Sequence, residues 1–253
     1  MEDKHQEEKT QYLYGMHPVL EAVRAGRKFD KVLLKKGLEG SQFRELMQLL
    51  TENELPYQFV PSEVLDRKCR GSHQGVMALV ARIDYVDIDQ FIDNALGRTL
   101  TPLVMILDGV SDVRNLGAIA RSLEVAGGQG IIVPAKGGAA INAEAVKASA
   151  GALMRIDTCK VSNLRLAIYS LRQAGFKIVA SSEKSDLSMY EADLTGPVAI
   201  IMGSEGTGIS KSILSLADQT VSIPQQGQIG SLNVSVASAI MAFEAVRQRL
   251  EKR

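Results

Sequence analysis

The feature of this sequence that most restricts its fold is a regular alternation of short apolar runs and helix-like segments between residues 101 and 253. The runs PLVMILDGV, GIIVP, KIVASS and PVAIIMG each contain consecutive apolar residues, which is typical of strands that are buried on both faces. The segments between them show the three- and four-residue apolar spacing of helices. This order predicts an α/β fold in which helices cover both faces of a parallel sheet.

A shorter alternation of the same kind precedes it, between residues 12 and 82. Helix-like YGMHPVLEAVRAG and SQFRELMQLLTENE alternate with strand-like KVLLKK, YQFV and GVMALVA, which predicts a small N-terminal α/β domain. The acidic segment 83–100 is interpreted as a linker between this domain and a second one over 101–253. Residues 1–11 are polar and are predicted to be disordered.

Composition and charge exclude several classes of protein. The chain has 29 basic and 29 acidic residues, so any nucleic-acid contact is expected on a local basic patch rather than a broad basic face. No apolar run is long enough to span a membrane and no signal peptide is visible, which predicts a cytoplasmic protein without a membrane partner. Two distant cysteines, Cys69 and Cys159, and three histidines without zinc spacing predict neither a disulfide framework nor a metal site.

A glycine-rich loop with a carboxylate inside it, IIMGSEGTGIS, follows one of the apolar runs. Its spacing is not that of a phosphate-binding P-loop, nor that of the dinucleotide fingerprint. Glu205 would repel a pyrophosphate placed against this loop. A nucleotide-binding regulator is therefore disfavoured, and the loop is expected to hold a ligand without phosphates.

Two further polar loops are expected at the same edge of the sheet, at 108–117 and 224–233, because parallel strands present their carboxyl ends together. Asn115 can cap the helix after the first loop, and Asn233 or Ser231 the helix after the other. Arg121 is expected on the buried side of its helix, where Glu205 is a candidate partner. From these residues alone, both asparagines can be plain helix caps and Arg121 with Glu205 a structural ion pair.

The segments NLGAIARS, IIMGSEGTGIS and SIPQQGQIGSLNVSVASAIMAFEA together resemble the three ordered motifs of the SpoU (TrmH) family of RNA 2′-O-ribose methyltransferases, within the SPOUT superfamily. YGMHPVLEAVRAG and SHQGVMALV resemble that family's small RNA-binding domain. The most similar subgroup is the bacterial 23S rRNA guanosine 2′-O-methyltransferases. The resemblance implies a deep C-terminal trefoil knot and a homodimer formed through the catalytic domain.

The resemblance also implies S-adenosylmethionine as methyl donor, with no metal. Its cofactor contacts would be largely to backbone, and the matching positions here are Met202, Gly203, Ile223 and Leu232. The positions that match the family's catalytic residues are Asn115, Arg121, Glu205 and Asn233. Arginine stays protonated in proteins, so a phosphate-binding and polarising role suits Arg121 better than that of a general base.

The N-terminal domain would present basic residues to structured ribosomal RNA, which proteins read by shape, splayed bases and 2′-hydroxyls. Two alternatives stay open: a tRNA methyltransferase of the same family, and a non-catalytic RNA-binding ribosome-assembly factor on the same fold. The candidate RNA-binding residues are Arg24, Arg27, Lys28, Lys35, Arg67 and Arg70.

Overall fold

The computed structural model describes residues 12–27, 29–53, 55–68, 72–80 and 83–252. The chain divides into two compact units. The smaller unit ends at Asp84 and also includes Ile141–Ala143, and the larger unit comprises Tyr85–Ala140 and Glu144–Arg253.

The smaller unit is a four-stranded mixed sheet with helices on both faces. Its strand order is β1-β4-β2-β3, with β4 antiparallel to both neighbours and β3 parallel to β2. Helices α1 and α2 cover one face over a core that includes Leu20, Leu34 and Leu46, and Leu65 of α3 packs on the other face. The elements are β1 (Tyr12–Tyr14), α1 (Met16–Arg24), β2 (Phe29–Lys35), α2 (Ser41–Glu52), β3 (Tyr57–Val60), α3 (Ser62–Lys68) and β4 (Val76–Val80).

The larger unit is built on a seven-stranded sheet in which every described strand pair is parallel. Its strand order is β11-β9-β10-β6-β7-β8-β5. The elements are β5 (Tyr85–Val86), α4 (Ile88–Arg98), β6 (Leu103–Asp108), α5 (Val113–Val125), β7 (Gly130–Pro134), α6 (Ala143–Ala148), β8 (Asp157–Val161), α7 (Leu164–Gln173), β9 (Lys177–Ser181), β10 (Val198–Gly203), α8 (Lys211–Leu214), β11 (Gln219–Val221) and α9 (Val234–Glu251).

Both faces of this sheet are covered by helices, which agrees with the buried apolar residues that form its central strands up to their carboxyl ends. On one face, Val104 and Ile106 of β6 join a core with side chains of α4, α7 and α8. Helices α5 and α9 pack against each other, and they contact β7 and β10 respectively. The predicted α/β class with a parallel sheet is therefore confirmed.

The segment 83–100, which was interpreted as a linker, forms strand β5 and helix α4. Tyr85 and Val86 pair with β8, and Asp87 caps α4 by accepting a hydrogen bond from the Gln90 N–H. Phe91 is fully buried in the core of the larger unit. Within the described residues, no helix has the length and apolarity that a membrane crossing requires.

Candidate active site

The candidate site lies at the carboxyl edge of the parallel sheet, where β6 and β10 end side by side. Gly203, the last residue of β10, is paired in register with Asp108, the last residue of β6. The Asp108 carboxylate accepts a 2.7 Å hydrogen bond from the Ser210 N–H. This bond ties the far end of the 203–210 loop to the neighbouring strand, so the loop stands over the edge as the sequence predicted.

The 203–210 loop is a tight turn with Glu205 at its tip. Ser204 and Gly208 exchange backbone hydrogen bonds of 3.1 and 2.9 Å. The Ser204 hydroxyl lies 2.7 Å from that of Thr207 and accepts the Thr207 N–H at 3.2 Å. Gly208 has a φ of 68°, which favours glycine. This bonding holds the backbone that carries Glu205.

Gly203 is required by the loop itself. A Cβ added there would lie 2.2 Å from the carbonyl carbon of Gly208 and 2.3 Å from the nitrogen of Ile209. Both are backbone atoms, so a flexible side chain cannot move to make room. This glycine therefore lets the loop fold back on its own strand.

The three loops are joined at one carboxylate oxygen. Oε1 of Glu205 accepts a 2.9 Å hydrogen bond from the side-chain amide of Asn115 and a 2.6 Å bond from that of Asn233. The Asn233 amide also lies 3.1 Å from Oδ1 of Asn115. Hydrogen bonds to a charged group are shorter and stronger than those between neutral groups. These three side chains, predicted as catalytic, therefore form one cluster, which we call the Asn-Glu-Asn cluster.

The two asparagines differ in their relation to the helices. Asp112, not Asn115, is the N-cap of α5, because its carboxylate accepts the backbone N–H groups of Arg114 and Asn115. The Arg114 N–H and then its guanidinium lower the pKa of Asp112. The prediction that Asn115 caps this helix was wrong, and its amide is left for Glu205. Asn233 is the N-cap of α9, as predicted, and uses its oxygen for the cap and its amide for the cluster.

The environment of Arg121 differs from the one that the sequence predicted. It lies on α5, but its side chain is exposed, because the buried face of that helix is formed by other residues, including Leu116, Ile119 and Ala120. Among the residues that the structure describes, its guanidinium has no hydrogen bond or ion pair, and Glu205 bonds to the asparagines instead. The expected burial of Arg121 was wrong, and its charge is available to a ligand.

A cavity of about 290 Å³ adjoins the cluster. Its walls are the Gly203 loop, the loop before α9 and the loop after β9. All four residues that were expected to contact a cofactor line it, namely Met202, Gly203, Ile223 and Leu232. The cavity is also lined by Ser181, Glu183 and Lys184, which were not predicted, although their polar loop follows an apolar strand at this edge.

A second cavity, of about 390 Å³, lies on the other side of the Gly203 loop. It shares Ser204 to Thr207 and Val234 with the first cavity, and its remaining wall includes Asn115 and the loop 109–112. The Asn-Glu-Asn cluster thus has a cavity on either side.

The candidate RNA-binding residues of the smaller unit are not equivalent. Arg24 is ion-paired with Glu21 and Glu45, so its charge is already compensated. The side chains of Arg27, Lys35 and Arg67 are exposed. Lys28 and Arg70 lie outside the described residues.

Comparisons with known proteins follow the same division of the chain. Residues 102–243 match the model of the SpoU rRNA Methylase family. The chain belongs to this family. Residues 12–86 match a second family model, described as RNA 2′-O ribose methyltransferase substrate binding. Family membership makes the chain an RNA methyltransferase and confirms the resemblance found in the sequence.

Relatives within the SpoU family match nearly the whole chain. A Staphylococcus haemolyticus protein named as a TrmH family tRNA/rRNA methyltransferase is 36% identical over 240 residues, 94% of this chain and 95% of its own. Among solved structures, AviRb of Streptomyces viridochromogenes with the cofactor AdoMet is 26% identical, with a TM-score of 0.60 over 95% of this chain and 90% of that one. The AdoMet-bound rRNA methyltransferase of Sinorhizobium meliloti is 26% identical, with a TM-score of 0.59 over 93% and 86%. The trefoil knot stays a prediction from the family resemblance.

Proposed function

We propose that this SpoU-family enzyme transfers the methyl group of S-adenosylmethionine to the ribose 2′-oxygen of a guanosine in 23S rRNA. The observation that carries the proposal is the Asn-Glu-Asn cluster, which places three polar side chains from separate loops between two cavities. One cavity suits the methyl donor, and the other the nucleotide that accepts the methyl group.

The residues of the first cavity fit S-adenosylmethionine. Its volume is near the lower end of ligand pockets, which begin at about 300 Å³. Its ionisable lining consists of Glu183, Glu205 and Lys184, so two negative charges and one positive give a formal charge of −1. Such a lining repels phosphates and suits a ligand with a sulfonium and an ammonium group. Met202 and Leu232 provide apolar surface, and backbone groups near Gly203 and Ile223 are available for polar contacts.

When bound, S-adenosylmethionine supplies an electrophilic methyl group, and the chain's own residues must prepare the acceptor. A ribose 2′-hydroxyl is a poor nucleophile, so it has to be oriented and its developing negative charge stabilised. We assign the orientation of this hydroxyl to Asn115, which lines the second cavity. Glu205 fixes the Asn115 amide, and Asn233 fixes Glu205 while holding the start of α9.

Arg121 is assigned a different role from that of the cluster. Its side chain is exposed and has no carboxylate partner among the described residues, so its positive charge is not neutralised within the chain. A guanidinium in this state binds an RNA phosphate well and stabilises negative charge near the reacting oxygen. Because arginine remains protonated, this role is electrostatic rather than that of a base.

The assembly that we propose is a homodimer formed through the larger unit. Apolar side chains on the outer faces of α5 and α9 are exposed, with Val125 at 64%, Phe243 at 47% and Leu250 at 60%. Apolar surface on two adjacent helices is typical of an interface between subunits. Light scattering after size-exclusion chromatography tests this, because Phe243→Glu should convert a dimer into a monomer.

The choice of RNA is tested by methyl transfer. The S. haemolyticus relative is named for both tRNA and rRNA, so a tRNA acceptor is the second candidate. Tritium from labelled S-adenosylmethionine is followed into 23S rRNA, 16S rRNA and total tRNA. Label in 23S rRNA that is resistant to alkali at one ribose supports the proposal. If label enters tRNA alone, the acceptor is a tRNA and not 23S rRNA. If label enters no RNA, the proposed reaction is wrong.

A further inference from the structure

Three aromatic rings of the smaller unit form a cluster at one edge of its sheet. Phe59 lies in β3, with its ring centroid 5.9 Å from that of Tyr57 and 6.4 Å from that of Phe43 on α2. Both contacts are edge-to-face, with interplanar angles of 82° and 64°. Such contacts fix the orientation of a ring.

Core packing does not account for Phe59. Phe43 and Tyr57 are partly buried and pack against the hydrophobic core beneath α1 and α2. Phe59 is not part of that core and is 41% exposed. β3 is the edge strand of the four-stranded sheet, so no described strand covers its outer side. The ring is therefore supported from within by two aromatic neighbours and presented to solvent.

Exposed basic residues occur at the end of the strand next to β3 and on α2, next to Phe43. The Lys36 N–H donates a 3.1 Å hydrogen bond to the carbonyl of Val60, the residue after Phe59. Lys35 is paired in register with Val60, so its side chain lies on the opposite face of the sheet from Phe59. Arg44 directly follows Phe43 on α2. The side chains of Lys35, Lys36 and Arg44 are exposed, and none of them is ion-paired within the described part of the chain. Arg24, by contrast, is neutralised by two glutamates.

We propose that the exposed ring of Phe59 is a stacking platform for an unpaired base of the substrate RNA, with Lys36 and Arg44 contacting the phosphates that flank that base. The inference rests on the proposed function, since it takes RNA as the substrate. Aromatic rings stack on any base, and neighbouring cations hold the backbone, which is the usual arrangement for single-stranded RNA. A paired base cannot occupy the platform, so this site selects RNA with a loop or bulge.

The absence of tryptophan from the chain gives a direct test. Phe59→Trp places the protein's only tryptophan on the platform, and stacking of a base quenches its fluorescence. Tyr14→Trp is the matched control, because Tyr14 is 44% exposed on β1 at the opposite edge of the same sheet. The probes are a short single-stranded adenosine oligoribonucleotide and the same strand in a fully paired duplex.

The single strand is expected to quench Phe59→Trp saturably and the duplex much less, with no change in Tyr14→Trp. Phe59→Leu, which keeps an apolar side chain but no ring, should weaken single-strand binding about tenfold. Equal quenching of both tryptophan variants, or unchanged binding by Phe59→Leu, overturns the inference. If Phe59→Trp methylates RNA normally but single-stranded RNA does not quench its fluorescence, the stacking platform is wrong and the proposed function still stands. Failure of the unmodified protein to bind or methylate any RNA overturns the proposed function as well.

Discussion

The side-chain amide of Asn115 lies 2.9 Å from Oε1 of Glu205, although 90 residues separate the two along the chain. The bond joins the start of α5 to the tip of the Gly203 loop. Because the same oxygen also accepts from Asn233, the position of one carboxylate depends on three loops at once. Single substitutions at these three residues therefore test the role of the cluster.

Two replacements of Glu205 distinguish the effect of its negative charge from the effect of its hydrogen-bonding oxygen. Glu205→Ala removes the acceptor that positions both amides and should lower kcat for methyl transfer by about 10- to 100-fold, because the reacting hydroxyl loses its orientation. Glu205→Gln keeps an acceptor oxygen and should retain more activity. Glu205 is exposed, so Tm should change little in either variant. If both variants kept the activity of the unmodified protein, the hydrogen bonds of Glu205 would not be needed to position the site.

Asn233 caps α9 with its side-chain oxygen and binds Glu205 with its amide, and two substitutions test these functions separately. Asn233→Asp keeps the oxygen that caps α9 but replaces the amide with a second carboxylate beside Glu205. We expect a Tm near that of the unmodified protein and at least a tenfold loss of methyl transfer. Asn233→Ala should lose activity and also about 1 kcal/mol of stability with its cap. Thermal unfolding and initial rates, measured on both variants, distinguish these results; full activity in Asn233→Asp would refute the assigned role.

Arg121 should contribute to activity and not to stability. Its side chain is exposed and unpaired among the described residues, so Arg121→Ala should change the free energy of unfolding by less than about 0.5 kcal/mol. Loss of a charge that stabilises the transition state should lower kcat about 100-fold. The control is Arg165→Ala, an exposed arginine on α7, which should leave the rate unchanged. A large fall in Tm for Arg121→Ala would indicate a structural role instead.

Gly203 and a glycine outside the cavity should respond differently to replacement by alanine. Gly203→Ala places a methyl group 2.2 Å from a backbone carbon, and relieving that overlap should cost about 1–3 kcal/mol. The displaced loop should also lose its affinity for S-adenosylmethionine, which calorimetric titration measures. The control is Gly196→Ala, which meets no atom within 4 Å, has no positive φ and lies outside the lining of the cavity, so it should bind the cofactor normally. Equal cofactor affinity in the two variants would contradict the assigned wall of the cavity.

The buried part of the fold was predictable because it rests on continuous apolar runs, as in β6 and β10. Strand β8 was not predicted, since DTCKV has no such run and is held by its neighbours β7 and β5. The segment 83–100 was interpreted as an irregular linker running into a short helix, so strand β5 was not predicted, for a related reason. The acidic side chains there lie outward, while the single buried ring of Phe91 anchors the helix.

The site was predictable as a set of residues but not as a set of contacts. Loops after parallel strands must meet at one edge, which brought Asn115, Glu205 and Asn233 together as expected. The helix cap was misplaced because Asp112 and Asn115 are both good capping residues, and only the backbone geometry selects the earlier one. Arg121 was expected near Glu205, but the helix turns its side chain to solvent.

The shared oxygen of Glu205 also couples local opening reactions. Fraying of the first turn of α9 removes the bond from Asn233 and so weakens the restraint on Glu205, to which the amide of Asn115 at the start of α5 is bonded. Ligand occupancy of the adjoining cavity, by stabilising the carboxylate in place, should therefore slow backbone hydrogen exchange at both helix starts together. Protection measured at Ser235 would report on a helix that begins about 120 residues earlier in the chain.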